Sequence, residues 1–311
     1  MIETLLLARP RGFCAGVARA ITTVEEAIKK FGKPIWVKHA IVHNVHVVKD
    51  LEKKGAVFVE RVEEIPQGAK AIFSAHGSPP EDFQKAKERN IHVIDAVCPL
   101  VTKVHIEAKI YAEQGYSIIY VGHRGHPEPL GVEGEVKAVG GGKFFLIDTL
   151  EEAKAVMVED ERVAILTQTT LSIDDTAEIV EVLKQKFPHA YFPPKEDICY
   201  ATQNRQNAVK LLAKEAEVIL VIGSKSSSNS NRLREVAEAA GKKAYLIDDS
   251  SMIRDNWFKE IKKVGLTSGA SAPEYLIEEV IDYFKKLGVE EIKDVVALEE
   301  NIYFPLPVEV G

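Results

Sequence analysis

The sequence predicts an α/β protein built from three small, related units with parallel sheets. Its three cysteines, Cys14, Cys98 and Cys199, each precede a helical pattern, and matching strand-like runs recur at nearly constant distances after each of them. Short apolar runs alternate with helical patterns along the chain, which is typical of parallel α/β folds. We therefore expect three units in a pseudo-threefold arrangement.

Each unit begins with a short run that ends at a cysteine, and we interpret each thiol as lying where a strand gives way to a helix. The runs read TLLLARPRGFC, HVIDAVC and PKEDIC, and the helical patterns that follow begin AGVARAI, PLVTKVH and YATQNRQ. A helix N-terminus carries a partial positive charge that favours the thiolate form of cysteine. These positions suit a metal centre that the three cysteines share.

Three further strand-like runs follow in every unit. The first ends near a polar residue 29, 28 or 30 positions after the cysteine, at His43, His126 and Asn229. The second reads VFVERVEEI, FFLIDTLEEA and AYLIDDSSMI, and the third ends near His76, Thr169 and Ser271. Because ligands bind beyond the carboxyl ends of parallel strands, we expect these polar positions to converge on one site. The alternative is a chance regularity of the α/β pattern.

The repeat also predicts the division of the chain. We expect α/β domains at residues 1–97, 98–193 and 194–282, followed by a C-terminal strand and tail at 283–311 that packs on the core. A chain of 311 residues is long enough for two or three domains with a substantial core.

Composition limits the classes of function. The net charge of −7, with both signs mixed, argues against a strongly basic nucleic-acid surface. The sequence contains no apolar run of about eighteen residues, and MIETLLLARPRG lacks the features of a signal peptide. Three widely separated cysteines argue against a disulfide framework. We expect a cytoplasmic protein that binds neither nucleic acid nor membrane.

Three cysteines fit an iron–sulfur cluster better than zinc. A structural zinc site takes four ligands at close spacing, whereas no two cysteines here are closer than 84 residues. A 4Fe-4S cluster is usually held by four cysteines, so three would leave one iron open to a substrate oxygen. The alternative is three unrelated buried cysteines that pack as small hydrophobic residues.

Short hydrogen-bond donors near the strand ends predict an anion pocket. Several lie beside glycine and before a helix, where N–H groups bind phosphate oxygens; they are His43, His76, Ser227, Ser228, Asn229 and Ser271. Taken alone, SSSNSN is more typical of a solvated loop or a helix cap, and a lone histidine is more often structural. The histidines that we interpret as structural or supporting are His39, His46, His92, His105, His123 and His189.

Glu128 in GHRGHPEPLG is the candidate proton donor. It follows His126 by two residues and is the only carboxylate in the glycine-flanked loops at the strand ends. A carboxyl group in a desolvated pocket near His126 and Thr169 can hold a proton near neutral pH and deliver it. The alternative is a glutamate in the first turn of a helix, where the helix dipole favours it.

At these residues the chain closely resembles the IspH/LytB family, the 4-hydroxy-3-methylbut-2-enyl diphosphate reductases of the non-mevalonate isoprenoid pathway. The resemblance spans nearly the whole chain. Nine motifs in the order of the family carry it: RGFCAGVARAI, VHN, FSAHG, DAVCPLVTKVH, GHRGHPE, TQTTLS, EDICYATQNRQ, GSKSSSNSNRL and TSGASAPE.

The resemblance implies three α/β domains in a trefoil around one 4Fe-4S cluster, with Cys14, Cys98 and Cys199 as its ligands. It implies that the substrate diphosphate is held by His43, His76, Ser227, Asn229 and Ser271, with Ser228 beside them. The allylic alcohol end would lie among His126, Glu128 and Thr169.

The implied reaction removes the substrate hydroxyl as water, using two electrons and two protons, and yields isopentenyl and dimethylallyl diphosphate. An external electron donor of the ferredoxin or flavodoxin type would supply the electrons. Two other functions remain open at this point: a sensor that binds a diphosphate without catalysis, and a redox-neutral hydratase that depends on the cluster. A proton donor at Glu128 argues against the sensor, and a demand for electrons would exclude the hydratase.

Overall fold

The computed structural model describes residues 2–193 and 197–311. Short strands alternate with helices over both ranges, as the sequence predicts. The strands are β1 (Thr4–Arg9), β2 (Ile35–Lys38), β3 (Ala56–Val59), β4 (Lys70–Phe73), β5 (His92–Asp95), β6 (Ser117–Val121), β7 (Phe144–Ile147), β8 (Val163–Thr167), β9 (Val218–Ile222), β10 (Lys243–Ile247), β11 (Lys263–Ser268) and β12 (Glu291–Val296).

The helices follow the strands in the manner of parallel α/β units. They are α1 (Ala15–Phe31), α2 (Val45–Lys54), α3 (Pro80–Glu88), α4 (Pro99–Glu113), α5 (Pro127–Val139), α6 (Leu150–Ala155), α7 (Ile173–Lys186), α8 (Tyr200–Leu212), α9 (Ser228–Ala239) and α10 (Glu274–Lys286). Within the described residues, no helix combines the length and the apolar character that crossing a membrane would require.

The strands form three sheets in which every paired strand is parallel, and this confirms the predicted α/β class. The sheet orders are β3-β2-β4-β5, β7-β6-β8 and β10-β9-β11-β1-β12. In each sheet the first strand-like run of a repeat lies between the second and the third. The threefold repeat that was inferred from the spacing after each cysteine is therefore present in the strand order.

The strands that precede Cys14 and Cys98, β1 and β5, each pair with strands of another repeat. β5 pairs with β4, and β1 lies between β11 and β12 in the sheet of the third unit. The four apolar residues at positions 5–8 of β1 are all buried, which suits a central strand with helices on both faces. The predicted boundaries at 97/98, 193/194 and 282/283 stay predictions, and the second adjoins residues 194–196, which lie outside the described residues.

The run PKEDIC before Cys199 lies partly outside the described residues, because 194–196 are not among them, and the strand expected there stays a prediction. Of the residues described nearby, Tyr191 makes a single bridge to Ala164, and residues 197–198 form a bend. One detail of the sequence interpretation is wrong: the strands are shorter than the apolar runs suggested, since β2 ends at Lys38 and not at His43. The polar residues therefore lie on loops and first helical turns that follow the strands.

The chain divides into two compact units. The first contains Met1–Ala18, His43–Asp50 and Tyr200–Tyr303, and the second contains Arg19–Val42, Leu51–Cys199 and Phe304–Gly311. The first unit has the five-stranded sheet, whose two faces are covered by apolar clusters around Leu220 and Ile219. The second has the four-stranded and three-stranded sheets with their own apolar clusters. Packed sheets of this kind hold the loops at the strand ends in fixed positions.

Candidate functional site

Each cysteine lies immediately before a helix or at its N-terminal cap. Cys14 precedes α1, and its Sγ accepts a 3.5 Å hydrogen bond from the N–H of Val17. Cys98 is the N-terminal cap of α4, and its side chain makes no capping hydrogen bond. Cys199 precedes α8. All three are half-buried thiols and none is in a disulfide, so the predicted placement at helix N-termini is confirmed.

Glu128 lies in the first turn of α5 with its carboxylate enclosed by protein. Its Oε1 accepts hydrogen bonds from the Thr169 backbone N–H at 2.8 Å and from the Tyr120 hydroxyl at 3.1 Å. Its Oε2 accepts one from the Thr169 hydroxyl at 2.9 Å. Glu128 and Thr169 are only 1% and 3% exposed. Glu128 is thus a first-turn residue and is also desolvated, and its role as proton donor stays a prediction.

Burial has a direct effect on the acidity of this group. It raises the pKa of Glu128 above its usual range, while the hydrogen bonds from Thr169 and Tyr120 act in the opposite direction. Burial also raises the pKa of Tyr120 well above its usual value, and the nearby Glu128 adds to this rise. Tyr120 therefore remains a neutral hydroxyl donor, and Glu128 can hold a proton at a higher pH than an exposed carboxyl group.

Two of the predicted histidines lie together near this carboxylate. The Nδ1 of His126 accepts a 3.2 Å hydrogen bond from the N–H of Glu128, and His126 caps α5. The rings of His126 and His76 meet edge to face, with centroids 5.7 Å apart. On its other side, His76 meets His39 edge to face, also at 5.7 Å. His76 Nδ1 also lies 3.3 Å from the Ser74 hydroxyl.

Backbone hydrogen bonds connect two of the cysteines to these loops. The N–H of Cys199 donates to the Thr169 carbonyl at 2.9 Å. The N–H of Cys98 donates to the carbonyl of Ala75, the neighbour of His76, at 3.1 Å. All of these residues belong to the second compact unit. Within that unit, the backbones of Cys98 and Cys199 are therefore hydrogen-bonded to the loops that contain His76 and Thr169.

The first compact unit contains the serine and asparagine loop that sequence reasoning assigned to an anion. Ser227 caps α9 and accepts a 3.2 Å hydrogen bond from the Ser230 N–H. Ser228, the first residue of α9, is half-buried. The Ser271 hydroxyl donates to the His43 carbonyl at 3.1 Å, which places two of the predicted residues side by side.

Asn229 is the most informative residue of this loop. It is 5% exposed, and neither the oxygen nor the nitrogen of its side-chain amide has a hydrogen-bond partner within the described residues. A buried amide without partners is costly, and such groups often mark a ligand site. A Cβ on Gly269 would lie 3.4 Å from the Asn229 amide nitrogen and 2.0 Å from the Ser230 hydroxyl oxygen. Only glycine leaves room for these polar side chains.

The backbone around Cys14 is held within the same unit. The N–H of Cys14 donates to the Ala270 carbonyl at 3.3 Å, next to Ser271. Gly12 has a φ of 71° and donates its N–H to the Ser268 hydroxyl at 2.7 Å. Glycine suits this left-handed conformation. The loop that contains Cys14 is therefore hydrogen-bonded to the segment at the end of β11.

Sequence reasoning missed several residues that contact the predicted ones. Tyr120 lies in an apolar strand, and nothing in the sequence pattern indicated its bond to Glu128. His39 was grouped with the structural histidines, although it lies directly beside His76. Its position just after β2, where ligand-binding residues are expected, was a usable signal. Arg205 lies inside the quoted motif EDICYATQNRQ and gave no sign of being fully buried.

Comparison with known proteins gives a consistent result along the chain. Residues 5–285 match the model of the family described as LytB protein. The chain is 49% identical over 306 residues to the 4-hydroxy-3-methylbut-2-enyl diphosphate reductase of Polaromonas sp., covering 98% of this chain and 91% of that protein. It is 51% identical over 304 residues to the reductase of the same name from Psychrobacter arcticus, covering 97% and 96%.

Two solved structures are also similar. The E-1-hydroxy-2-methyl-but-2-enyl-4-diphosphate reductase from Plasmodium falciparum matches with a TM-score of 0.93 and 37% identity, covering 100% of this chain and 97% of that one. A structure of (E)-4-hydroxy-3-methyl-but-2-enyl diphosphate reductase, the terminal enzyme of the non-mevalonate pathway, matches with a TM-score of 0.66 and 33% identity. That match covers 92% of this chain and 100% of the other.

Proposed function

The chain belongs to the LytB protein family, and from that premise we propose that it is a 4-hydroxy-3-methylbut-2-enyl diphosphate reductase. It removes the substrate hydroxyl as water with two electrons and two protons, and it forms isopentenyl and dimethylallyl diphosphate. The observation that carries this proposal is the fully buried Glu128 carboxylate bonded to Thr169, whose carbonyl accepts from the N–H of Cys199. A candidate proton donor and a candidate metal ligand are therefore both hydrogen-bonded to Thr169.

The three thiols fit a soft metal centre. Thiolates are the usual ligands of iron–sulfur clusters, and each thiol is half-buried at a helix N-terminus, where negative charge is favoured. The sequence contains three cysteines, one fewer than a fully thiolate-ligated cluster needs. We assign Cys14, Cys98 and Cys199 as ligands of one 4Fe-4S cluster. Such a cluster supplies electrons and a Lewis-acidic iron when bound.

The protein's own residues supply binding and protons. Imidazole, hydroxyl and amide donors bind the diphosphate, and the assigned set is His43, His76, Ser227, Ser228, Asn229 and Ser271. The unpartnered amide of Asn229 supports this assignment, because an oxyanion would accept from its nitrogen. The loop before α9 also presents helix N-terminal N–H groups to the anion.

Glu128 is the assigned acid, and Thr169 is its closest hydroxyl partner. The Glu128 Oε2 lies 2.9 Å from the Thr169 hydroxyl oxygen, a distance between heavy atoms that suits proton transfer through that hydroxyl. His126 holds the N–H of Glu128, and this contact fixes the start of α5. These residues orient the alcohol end of the substrate and protonate the departing hydroxyl.

Two further parts of the proposal concern the surroundings of the enzyme. The two electrons come from an external donor of the ferredoxin or flavodoxin type. A reducing, cytoplasmic setting suits three thiols that must remain available as ligands.

Anaerobic purification tests the proposal. The protein should contain iron and acid-labile sulfide, and with a chemical reductant it should convert 4-hydroxy-3-methylbut-2-enyl diphosphate to the two five-carbon diphosphates. Diphosphate binding without turnover would instead identify a sensor. Dehydration without reductant would identify a hydratase.

A further inference from the structure

Arg205 is a fully buried cation in the second turn of α8, the helix that follows Cys199. Its side chain has 0% exposure. One terminal nitrogen, Nη1, lies 3.1 and 3.2 Å from the two carboxylate oxygens of Glu300 and donates to the Ala201 carbonyl at 3.0 Å. The other, Nη2, donates to the Gly12 carbonyl at 2.9 Å. The guanidinium thus connects α8, the C-terminal segment and the loop before Cys14.

The contact with Gly12 is the one that bears on the metal site. Gly12 precedes Cys14 by two residues, and its other peptide group is held as well, since its N–H donates to the Ser268 hydroxyl at 2.7 Å. A Cβ at Gly12 would lie 3.1 Å from the Glu274 Oε2 in addition to straining a φ of 71°. Both sides of this residue are therefore fixed by buried partners.

The chemistry of the ion pair between Arg205 and Glu300 indicates a role other than stability. An ion pair that contains a fully buried guanidinium is often no more stabilising than apolar residues of the same volume, so stability alone does not explain this pair. Arginine presents several N–H donors in a rigid planar fork, and here the fork directs one nitrogen at a carboxylate and the other at a backbone carbonyl. Glu300 is itself held by the Asn204 amide at 2.9 Å. The carboxylate therefore keeps the guanidinium aimed at Gly12.

We propose that Arg205 is a positioning residue for Cys14, acting through the Gly12 carbonyl, and that Glu300 makes the C-terminal segment part of the support of this metal ligand. The inference rests on the proposed function, because it assumes that Cys14 ligates the cluster. Residues that orient metal ligands are costly to lose even when they do not touch the metal.

The test compares single and paired substitutions after anaerobic reconstitution. Arg205→Met removes the donors and leaves Glu300 unpaired, so it weakens both folding and positioning. The paired variant Arg205→Met with Glu300→Leu removes the buried guanidinium and its partly buried carboxylate partner, which restores stability while the Gly12 carbonyl still lacks its donor. Arg205→Lys keeps the positive charge but lacks the planar set of N–H donors, so its rate of iron release should lie between those of the wild type and Arg205→Met. Val280→Ala, a cavity in the fully buried core, is the control for general destabilisation.

Two readouts separate positioning from stability: the melting temperature of the cluster-free protein and the rate of iron release to a chelator. We expect the paired variant to melt near the wild type yet to release iron about 10- to 100-fold faster. Val280→Ala should melt lower and release iron at the wild-type rate. Wild-type iron release from the paired variant would overturn the inference and leave the proposed function standing. A wild-type protein without iron would overturn the proposed cluster and the inference together.

Discussion

The Glu128 carboxylate accepts two hydrogen bonds from one residue, Thr169, through its backbone N–H at 2.8 Å and its hydroxyl at 2.9 Å. The same Thr169 accepts a backbone hydrogen bond from Cys199. The proposed acid and one proposed metal ligand are therefore both hydrogen-bonded to Thr169, in the loop after β8. Because Glu128 is not itself a proposed metal ligand, its role can be tested separately from that of the cysteines.

Glu128→Gln should retain iron and substrate binding but lose most turnover. Glutamine preserves the size of the side chain and can still accept from Thr169, but it cannot release a proton. General acid catalysis typically contributes about 10²- to 10⁴-fold, and turnover should fall within that range. The control is Glu133→Gln on the same helix, a partly exposed residue paired with Lys137, and it should retain turnover. Near wild-type turnover by Glu128→Gln would remove this residue from the role of acid.

The same substitution predicts a change in how stability depends on pH. Burial raises the pKa of Glu128 in the folded state. Between the ordinary carboxyl pKa, about 4.3, and that raised value, the folded protein holds a proton that the unfolded chain has lost. The free energy of unfolding of the wild type should therefore fall relative to that of Glu128→Gln as pH rises through this window. Denaturant unfolding of both proteins across a pH series measures the difference, and parallel curves would contradict it.

Tyr120→Phe tests the hydroxyl that sequence reasoning missed. It removes one 3.1 Å hydrogen bond to the Glu128 Oε1, a bond that favours the ionised carboxylate. A bond of this kind contributes about 0.5–1.5 kcal/mol. The pKa of Glu128 should rise further, and the decline of turnover at alkaline pH should move to higher pH. A pH profile of turnover identical to the wild type would show that Tyr120 does not tune the acid.

Asn229→Ala should weaken diphosphate binding without weakening the fold. The Asn229 amide has no hydrogen-bond partner within the described residues, so its removal breaks no internal bond there and the melting temperature should hold or rise. Affinity for inorganic diphosphate should fall by roughly ten- to a hundredfold, the value of one charge-assisted hydrogen bond. Calorimetry on iron-loaded protein measures it, with the exposed Glu238→Gln on α9 as control. Unchanged affinity would place the anion elsewhere.

Much of the fold could be predicted from the sequence because the repeat is local. Strand, helix and turn signals recur after each cysteine, and every unit folds into the same strand order. The place of β1 could not be predicted in this way. It pairs with β11, about 260 residues along the chain, and such a pairing depends on packing between distant segments and not on any local pattern.

The sequence offers candidates for the site where a residue type by itself indicates a chemistry. Cysteines before helices, a carboxylate beside a histidine and a serine-rich helix start are signals of this kind. Tyr120 and Arg205 carry no such signal, because an aromatic residue in a strand and a cation in a helix are ordinary in any α/β sequence. The roles proposed for them rest on burial and on bonds to Glu128 and Gly12, which only the folded chain reveals.

We propose that this chain uses the electrons of an iron–sulfur cluster to reduce an allylic diphosphate. The most direct measurement is anaerobic turnover of 4-hydroxy-3-methylbut-2-enyl diphosphate by the wild type and by Cys14→Ser, Cys98→Ser and Cys199→Ser. The amount of reductant that is consumed and the amount of product that is formed are measured in the same reaction. We predict two electrons consumed per five-carbon diphosphate by the wild type, and loss of both iron–sulfur cluster and turnover in each serine variant. Product formed without consumption of reductant, or a serine variant with full iron content and full turnover, would contradict the account.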